Sequence, residues 1–313
     1  MGLSPEHKSK LEFWSTALRS GVRRYVKQLA DLRHFHDHTP SPADFADAWS
    51  RECDSAGSDI VVCWLGHCTV LIRLGHLNIL TDPVFSRRIG VKIGKRTVGL
   101  TRIGDPPLQT KHLPPIDVIL ISHPHFDHLD KPTLQRLRSP STMVVTSKAS
   151  RRLIPSGFAD ILEMDWHQTA ILENLKLETL KPRHWGARTA WDRHRGYNSY
   201  VLTVGPQKVL FAGDTALTDA YANLHGIDLA IFGIGSYEPW EHAHATPEQV
   251  WSMFSEFGGT RLLPVHHSTF ELGDEPHGEP MQRLETAAGP NHKRVLESHI
   301  GKILRVSSDP STT

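Results

Sequence analysis

The chain has 313 residues, a formal net charge of +1 at pH 7 and a hydrophobic fraction of 39%, which suits one main globular domain with an appendage. That charge balance supplies no global attraction to nucleic acid or to an anionic membrane, so partners have to be sought in local clusters. Cys53, Cys63 and Cys68 are odd in number and lack a paired metal spacing, which fits buried free thiols in a reducing compartment better than a disulfide framework.

No run approaches the length of a membrane span, and the N-terminus lacks the apolar core and cleavage site of a secretory signal. Cytoplasm is therefore the expected location, with peripheral membrane contact left open. Residues 1–55 read as a helical extension and linker ahead of the main domain over residues 56–313. Between residues 6 and 32, Leu11, Trp14, Leu18, Val22, Tyr25 and Leu29 recur at helical spacing with lysines and arginines among them, which predicts an amphipathic, mildly basic helix. Docking on the core is favoured over an interfacial anchor. His34, His36 and His38 alternate just before Pro40 and Pro42 with no carboxylate-rich partner cluster, so they read as a solvated linker.

Residues 60–65 and 69–74 are β-rich runs joined at Gly66-His67-Cys68, and residues 77–81 continue the meander. It ends at Asp82. Asp82 and His67 are candidates to hydrogen-bond the ligand residues that follow, against the simpler reading of Asp82-Pro83 as an Asx turn. Residues 86–102, basic and rich in glycine, predict a mobile loop beside the site. Residues 117–122 then form a short apolar strand that empties into His123, His125, Asp127 and His128, and strands of α/β proteins carry function on the loops at their carboxyl ends. Imidazole nitrogens and carboxylate oxygens are the donors zinc takes. His123 and His125, alternating in an extended loop, can converge on one ion, while Asp127 and His128, beyond the turn at Phe126, can face a second. The competing reading is a chance cluster in a chain with 21 histidines.

Distant partners of the right type argue against chance. A helix over residues 131–138, a strand over 143–146 and a helix start over 149–154 continue the α/β alternation. Strand-like residues 171–175 and 176–180 lead to His184, a fitting third ligand for the first ion. Residues 197–204 and 208–211 close on Asp214, placed to bridge two ions. Residues 229–234 precede a helix over 247–257 with Thr246 as its cap, and residues 261–265 end in His266-His267. Every candidate ligand thus falls at a strand terminus.

The pattern H-x-H-x-D-H followed by a lone His, a lone Asp and a final His resembles the metallo-β-lactamase superfamily. The segments WLGHCTVLI, LTDPVFS, LPPIDVILISHPHFDHLD, FAGDT, IGSYEP and HATPEQV look like those of its N-acylphosphatidylethanolamine-hydrolysing phospholipase D group, and more distantly of ascorbate-6-phosphate lactonases. The likeness covers residues 60–270. It implies an α/β fold, a four-layer αββα sandwich, with two zinc ions at one edge, iron or manganese being alternatives. By motif, His123, His125 and His184 would hold one ion and Asp127, His128 and His266 the other, with Asp214 bridging and Asp82 orienting the loop. His266 is preferred to His267 because it matches the family's V-H-x-x-T-F pattern.

A hydroxide shared by the two ions would form near neutral pH, because bound metal lowers the pKa of water to about 7. Asp127 and Asp214 would then be catalytic through the ions, and His244 would bind substrate or protonate the leaving group, unless it is only a helix-start histidine satisfied by backbone. Tyr237 and Arg188 are weaker candidates for phosphate contacts. A phosphodiesterase acting on a phospholipid or related small diester leads, with a lactone or amide hydrolase of the same fold as the alternative. A nucleic-acid-processing protein is disfavoured: the stretch between Asp214 and His266 is too short for a large extra domain, and no aromatic and basic platform stands out.

Overall fold

The structure is a computed structural model that describes residues 42–94, 96–189, 192–297 and 299–307. The expected N-terminal helix and the linker with His34, His36 and His38 lie outside these residues. Two sheets stack face to face. The first has the order β15 (Ile303–Val306), β1 (Ile60–Gly66), β2 (Thr69–Leu74), β3 (Leu77–Thr81), β6 (Val118–Ile121), β7 (Met143–Ser147) and β8 (Asp160–Met164). The second runs β14 (Arg261–Val265), β13 (Leu229–Gly233), β12 (Gln207–Phe211), β11 (Ser199–Val204), β10 (Leu175–Leu180) and β9 (Thr169–Leu172).

Strand sequences explain the layering. In β1 every residue is buried, and successive side chains enter different cores: Ile60, Val62 and Trp64 face the second sheet, whereas Val61, Cys63 and Leu65 join the outer cluster of the first. Strands covered on both faces read as continuous apolar runs in this way. The outer cluster is closed by α1 (Pro42–Ser55), through Phe45 and Trp49, and by Leu134 of α2 (Lys131–Arg136). On the far side, Val250, Met253 and Phe254 of α3 (Pro247–Glu256) and Leu284 of α4 (Glu279–Ala288) pack over Leu210, Ala230 and Phe232. The result is the αββα order.

Residues 42–55, grouped with the linker in the sequence reading, are therefore a docked helix, and the Trp49 indole donates to Asn78 Oδ1 at 3.1 Å. Residues 149–154 form only a 3-10 turn, Arg151–Leu153. Residues 86–102 are not a plain loop. They carry a hairpin of β4 (Val91–Ile93) and β5 (Arg96–Val98). The three cysteines are free thiols; Cys63 and Cys68 are buried and Cys53 is half-buried.

β3, β6, β7 and β8 run parallel, as do β12, β13 and β14, so their carboxyl ends share one edge of the sandwich. Asp82, the His123 loop, Asp214 and His266 follow four of these strands. α3 begins at the same edge with a capping box, in which Thr246 Oγ1 accepts from Gln249 N at 3.3 Å and Gln249 Oε1 accepts from Thr246 N at 3.1 Å. Thr246→Ala is expected to cost about 1 kcal/mol of stability by denaturant titration. An unchanged midpoint would show that packing alone holds this end.

Candidate metal centre

At this edge the side chains gather into two adjoining groups. His123 Nε2 lies 2.7 Å from His125 Nδ1, which lies 3.4 Å from His184 Nε2. These three form one donor set, and Asp127, His128, Asp214 and His266 form another. Asp214 Oδ2 stands between them, 3.8 Å from His123 Nε2 and from His184 Nε2, 3.1 Å from His128 Nε2 and 3.3 Å from His266 Nε2. His244 joins from the α3 side, its Nδ1 3.8 Å from Asp214 Oδ2 and its side chain 17% exposed.

Backbone shape is specialised here. His67 (φ 52), Asp82 (φ 31), Ser236 (φ 66) and His266 (φ 61) all adopt left-handed conformations, an arrangement that concentrates at functional sites because the surroundings have to impose it. Gly213 (φ 61) precedes Asp214, and a Cβ there would come within 2.8 Å of Ser122 Cβ. A side chain at Gly235 would meet the His266 carbonyl at 2.3 Å. Glycine lets these two turns close against the ligand strands.

Hydrogen bonds fix which ring nitrogens face inward. Asp82 is fully buried. Its Oδ1 accepts from Ser122 N at 2.7 Å, and its Oδ2 accepts from Ser122 Oγ at 2.5 Å and from His128 Nδ1 at 2.6 Å. A carboxylate can only accept, so His128 carries its proton on Nδ1 and leaves the Nε2 lone pair for the cluster. Ser122 has given its hydrogen to Asp82 and therefore accepts from His123 Nδ1 at 2.9 Å, which frees His123 Nε2 in the same way. His184 Nδ1 donates to the Ala243 carbonyl at 3.0 Å, again leaving Nε2. His67 Nε2 donates to Asp127 Oδ2 at 3.0 Å.

The donors fit a cation. Among the described residues, His128 Nε2, His266 Nε2 and Asp214 Oδ1 are buried with no hydrogen-bond partner, a costly state for polar atoms unless something else binds them. Burial would raise the Asp127 and Asp214 carboxyls, but His128 and its neighbours hold both well below the usual range. Burial would likewise lower the two facing imidazoles. Instead Asp214 and Asp127 hold His128 well above its ordinary value and His266 at about 9. Burial, with the neighbouring imidazoles, keeps His123 well below the ordinary value and His125 at about 3. Two carboxylates thus demand positive charge that protons supply when no metal is bound. Near neutral pH, metal loading must displace protons from His128 and His266, so about two should be released per chain, and affinity should rise as pH rises toward the His266 value. Titration calorimetry in buffers of different ionisation enthalpy measures this release; none would contradict the donor assignment.

Three further candidates have partners of their own. The His267 ring lies tilted against Trp64 with centroids 4.7 Å apart, and its Nδ1 is 2.9 Å from Ser268 Oγ. Tyr237 donates its hydroxyl to Glu279 Oε1 at 2.8 Å. Arg188 donates to the Pro124 and Leu129 carbonyls at 3.0 and 2.8 Å and lies 4.2 Å over the Phe126 ring, so it braces the His123 loop. Ser122 and the Ala243 carbonyl were not anticipated. A hydroxyl between a buried strand and the first histidine was the available signal for Ser122.

Residues 77–267 match the beta-lactamase superfamily domain. An uncharacterized protein of Mycobacterium tuberculosis is 34% identical over 290 residues, 88% of this chain and 76% of that protein. The mitochondrial N-acyl-phosphatidylethanolamine-hydrolyzing phospholipase D of Saccharomyces cerevisiae is 30% identical over 309 residues, 86% of this chain and 65% of that enzyme. The isothiocyanate hydrolase from Delia radicum gut bacteria has the same fold, with a TM-score of 0.64 at 14% identity over 79% of this chain and 99% of that one. With its buried His and Asp cluster at the strand ends, the chain belongs to the metallo-β-lactamase superfamily and is a metal-dependent hydrolase.

Proposed function

We propose that the protein is a binuclear phosphodiesterase of phospholipase D type, acting on N-acylphosphatidylethanolamine-like or related diesters. The observation that carries this reading is the position of Asp214 Oδ2 within 4 Å of nitrogens from both donor sets. His123, His125 and His184 would hold one ion, Asp127, His128 and His266 the other, and Asp214 would be shared. Zinc is proposed for its preference for imidazole and carboxylate donors, a set that iron also accepts. When bound, a metal pair supplies an activated water and stabilises charge on the entering and leaving oxygens of a phosphodiester.

The remaining work falls to the chain. Asp82, Ser122 and the Ala243 carbonyl hold three imidazoles in the tautomer that presents Nε2. Burial and the nearby His184 and His266 keep His244 well below the ordinary imidazole value despite Asp214. Neutral His244 therefore serves as a hydrogen-bond donor to a phosphoryl oxygen, placed by the capped start of α3. The yeast relative's name supports the lipid substrate, and the chain spans 65% of that enzyme.

The test is a substrate panel with the full chain: a bis-aryl phosphodiester, an N-acylated phospholipid and a sugar-phosphate lactone. Metal-dependent hydrolysis of the first two is expected. Lactone opening with both diesters inert would replace this reading by the lactonase one.

A further inference from the structure

Between Asp82 and Asp105 the sequence carries Arg87, Arg88, Lys92, Lys95, Arg96 and Arg102 and no acidic residue, in a chain whose formal net charge is only +1. The β4–β5 ribbon lies inside this stretch, with Val91 opposite Val98, Lys92 opposite Thr97 and Ile93 opposite Arg96. Side chains alternate across a ribbon, so Val91, Ile93, Arg96 and Val98 share one face and Lys92 and Thr97 the other. The three aliphatic residues of the first face are exposed, Val91 by 52%, Ile93 by 63% and Val98 by 43%. A two-stranded ribbon that leaves such a face in water gains little from its own pairing.

The ribbon is rooted beside the metal centre. Its base residue Ile89 packs with Val84 and Phe270, and Phe126, Leu100 and Leu272 complete that cluster. Phe126 belongs to the loop that carries His125 and Asp127, and Phe270 stands edge-on to His67 at 5.4 Å. The Arg102 guanidinium is buried and donates to the Val84 and Leu65 carbonyls at 2.9 Å each, which ties the root to the sheet. Trp185, a further exposed apolar side chain at 49%, lies 4.4 Å from the His125 ring.

We propose that the β4–β5 ribbon is the docking element for an anionic lipid surface, with Val91, Ile93 and Val98 entering the interface and Lys92 and Arg96 at the headgroups. Exposed Lys92 and Arg96, in a stretch without acidic residues and interleaved with exposed aliphatics, match an interface that is apolar inside and negatively charged at its surface. A ribbon anchored there would bring the strand-end edge to the substrate. The proposal deepens the lipid-diester reading and rests on it for the purpose of docking.

Sedimentation of the full chain with vesicles tests it, comparing phosphatidylcholine alone with phosphatidylcholine containing about one third phosphatidylglycerol. Binding to the anionic vesicles is expected and should weaken with added salt. Ile93→Asp should reduce it at least about tenfold, as should Lys92→Glu combined with Arg96→Glu. Hydrolysis of a soluble bis-aryl phosphodiester and the thermal unfolding of both variants should stay as in the parent. Failure of the parent chain to bind anionic vesicles, or binding by Ile93→Asp equal to the parent, would overturn the proposal. A dimer that Ile93→Asp dissociates would do the same, by assigning the face to a second copy. Vesicle binding lost in Ile93→Asp, in a parent chain that hydrolyses no diester, would leave the docking element standing and overturn the substrate reading instead.

Discussion

Asp214→Ala is expected to remove at least one metal equivalent per chain and to lower phosphodiester hydrolysis by more than about a hundredfold. The reason is position. Asp214 Oδ2 is close to nitrogens of both donor sets, and removing it leaves Asp127 as the remaining carboxylate among His123, His128 and His266, halving the negative charge that makes a cation favourable. Elemental analysis of the purified variant, with the rate per folded molecule, measures both effects. Full metal content at full activity would sink the shared-ligand assignment.

Asp82→Asn should act through the ligands rather than on the ion, with a loss in metal affinity or rate of roughly 10- to 100-fold. The amide has one accepting oxygen where the carboxylate has two. If the oxygen stays on Ser122 N, the amide nitrogen faces His128 Nδ1 and Ser122 Oγ, both of which now donate to Oδ2. His128 would then accept at Nδ1 and carry its proton on Nε2, the atom turned toward the cluster. Asp82 also reaches His123 through Ser122, so one substitution disturbs an imidazole in each candidate donor set. Metal titration of the variant beside the parent reads this out, and identical affinity and rate would return Asp82 to a turn-forming role.

Much of this arrangement was legible in the sequence because ligand chemistry is local and strand ends are marked. The run Val118 to Ile121 stops at Ser122, and the histidines begin at once. His184, Asp214 and His266 each follow an apolar run that reads as a strand, and the structure brings all three to the same edge as His123. What stayed hidden depends on contacts between distant segments. The Asp82–Ser122–His123 chain needs β3 and β6 side by side, which sequence periodicity does not reveal. Arg188 read as a weaker candidate for a phosphate contact, and the two loop carbonyls its side chain reaches lie far from it in sequence. β15 is only four residues long and pairs with β1 from the far end of the chain, so no local pattern announces it. α1 was missed as a core element because its polar composition hides the two residues, Phe45 and Trp49, that it buries.

Anomalous diffraction from crystals of the metal-loaded protein tests the central claim most directly. Two metal peaks are predicted on either side of Asp214, one bonded by His123 Nε2, His125 Nδ1 and His184 Nε2 and the other by Asp127, His128 Nε2 and His266 Nε2. A single peak in a crystal of fully active protein, or a second peak held by residues outside these sets, would contradict it.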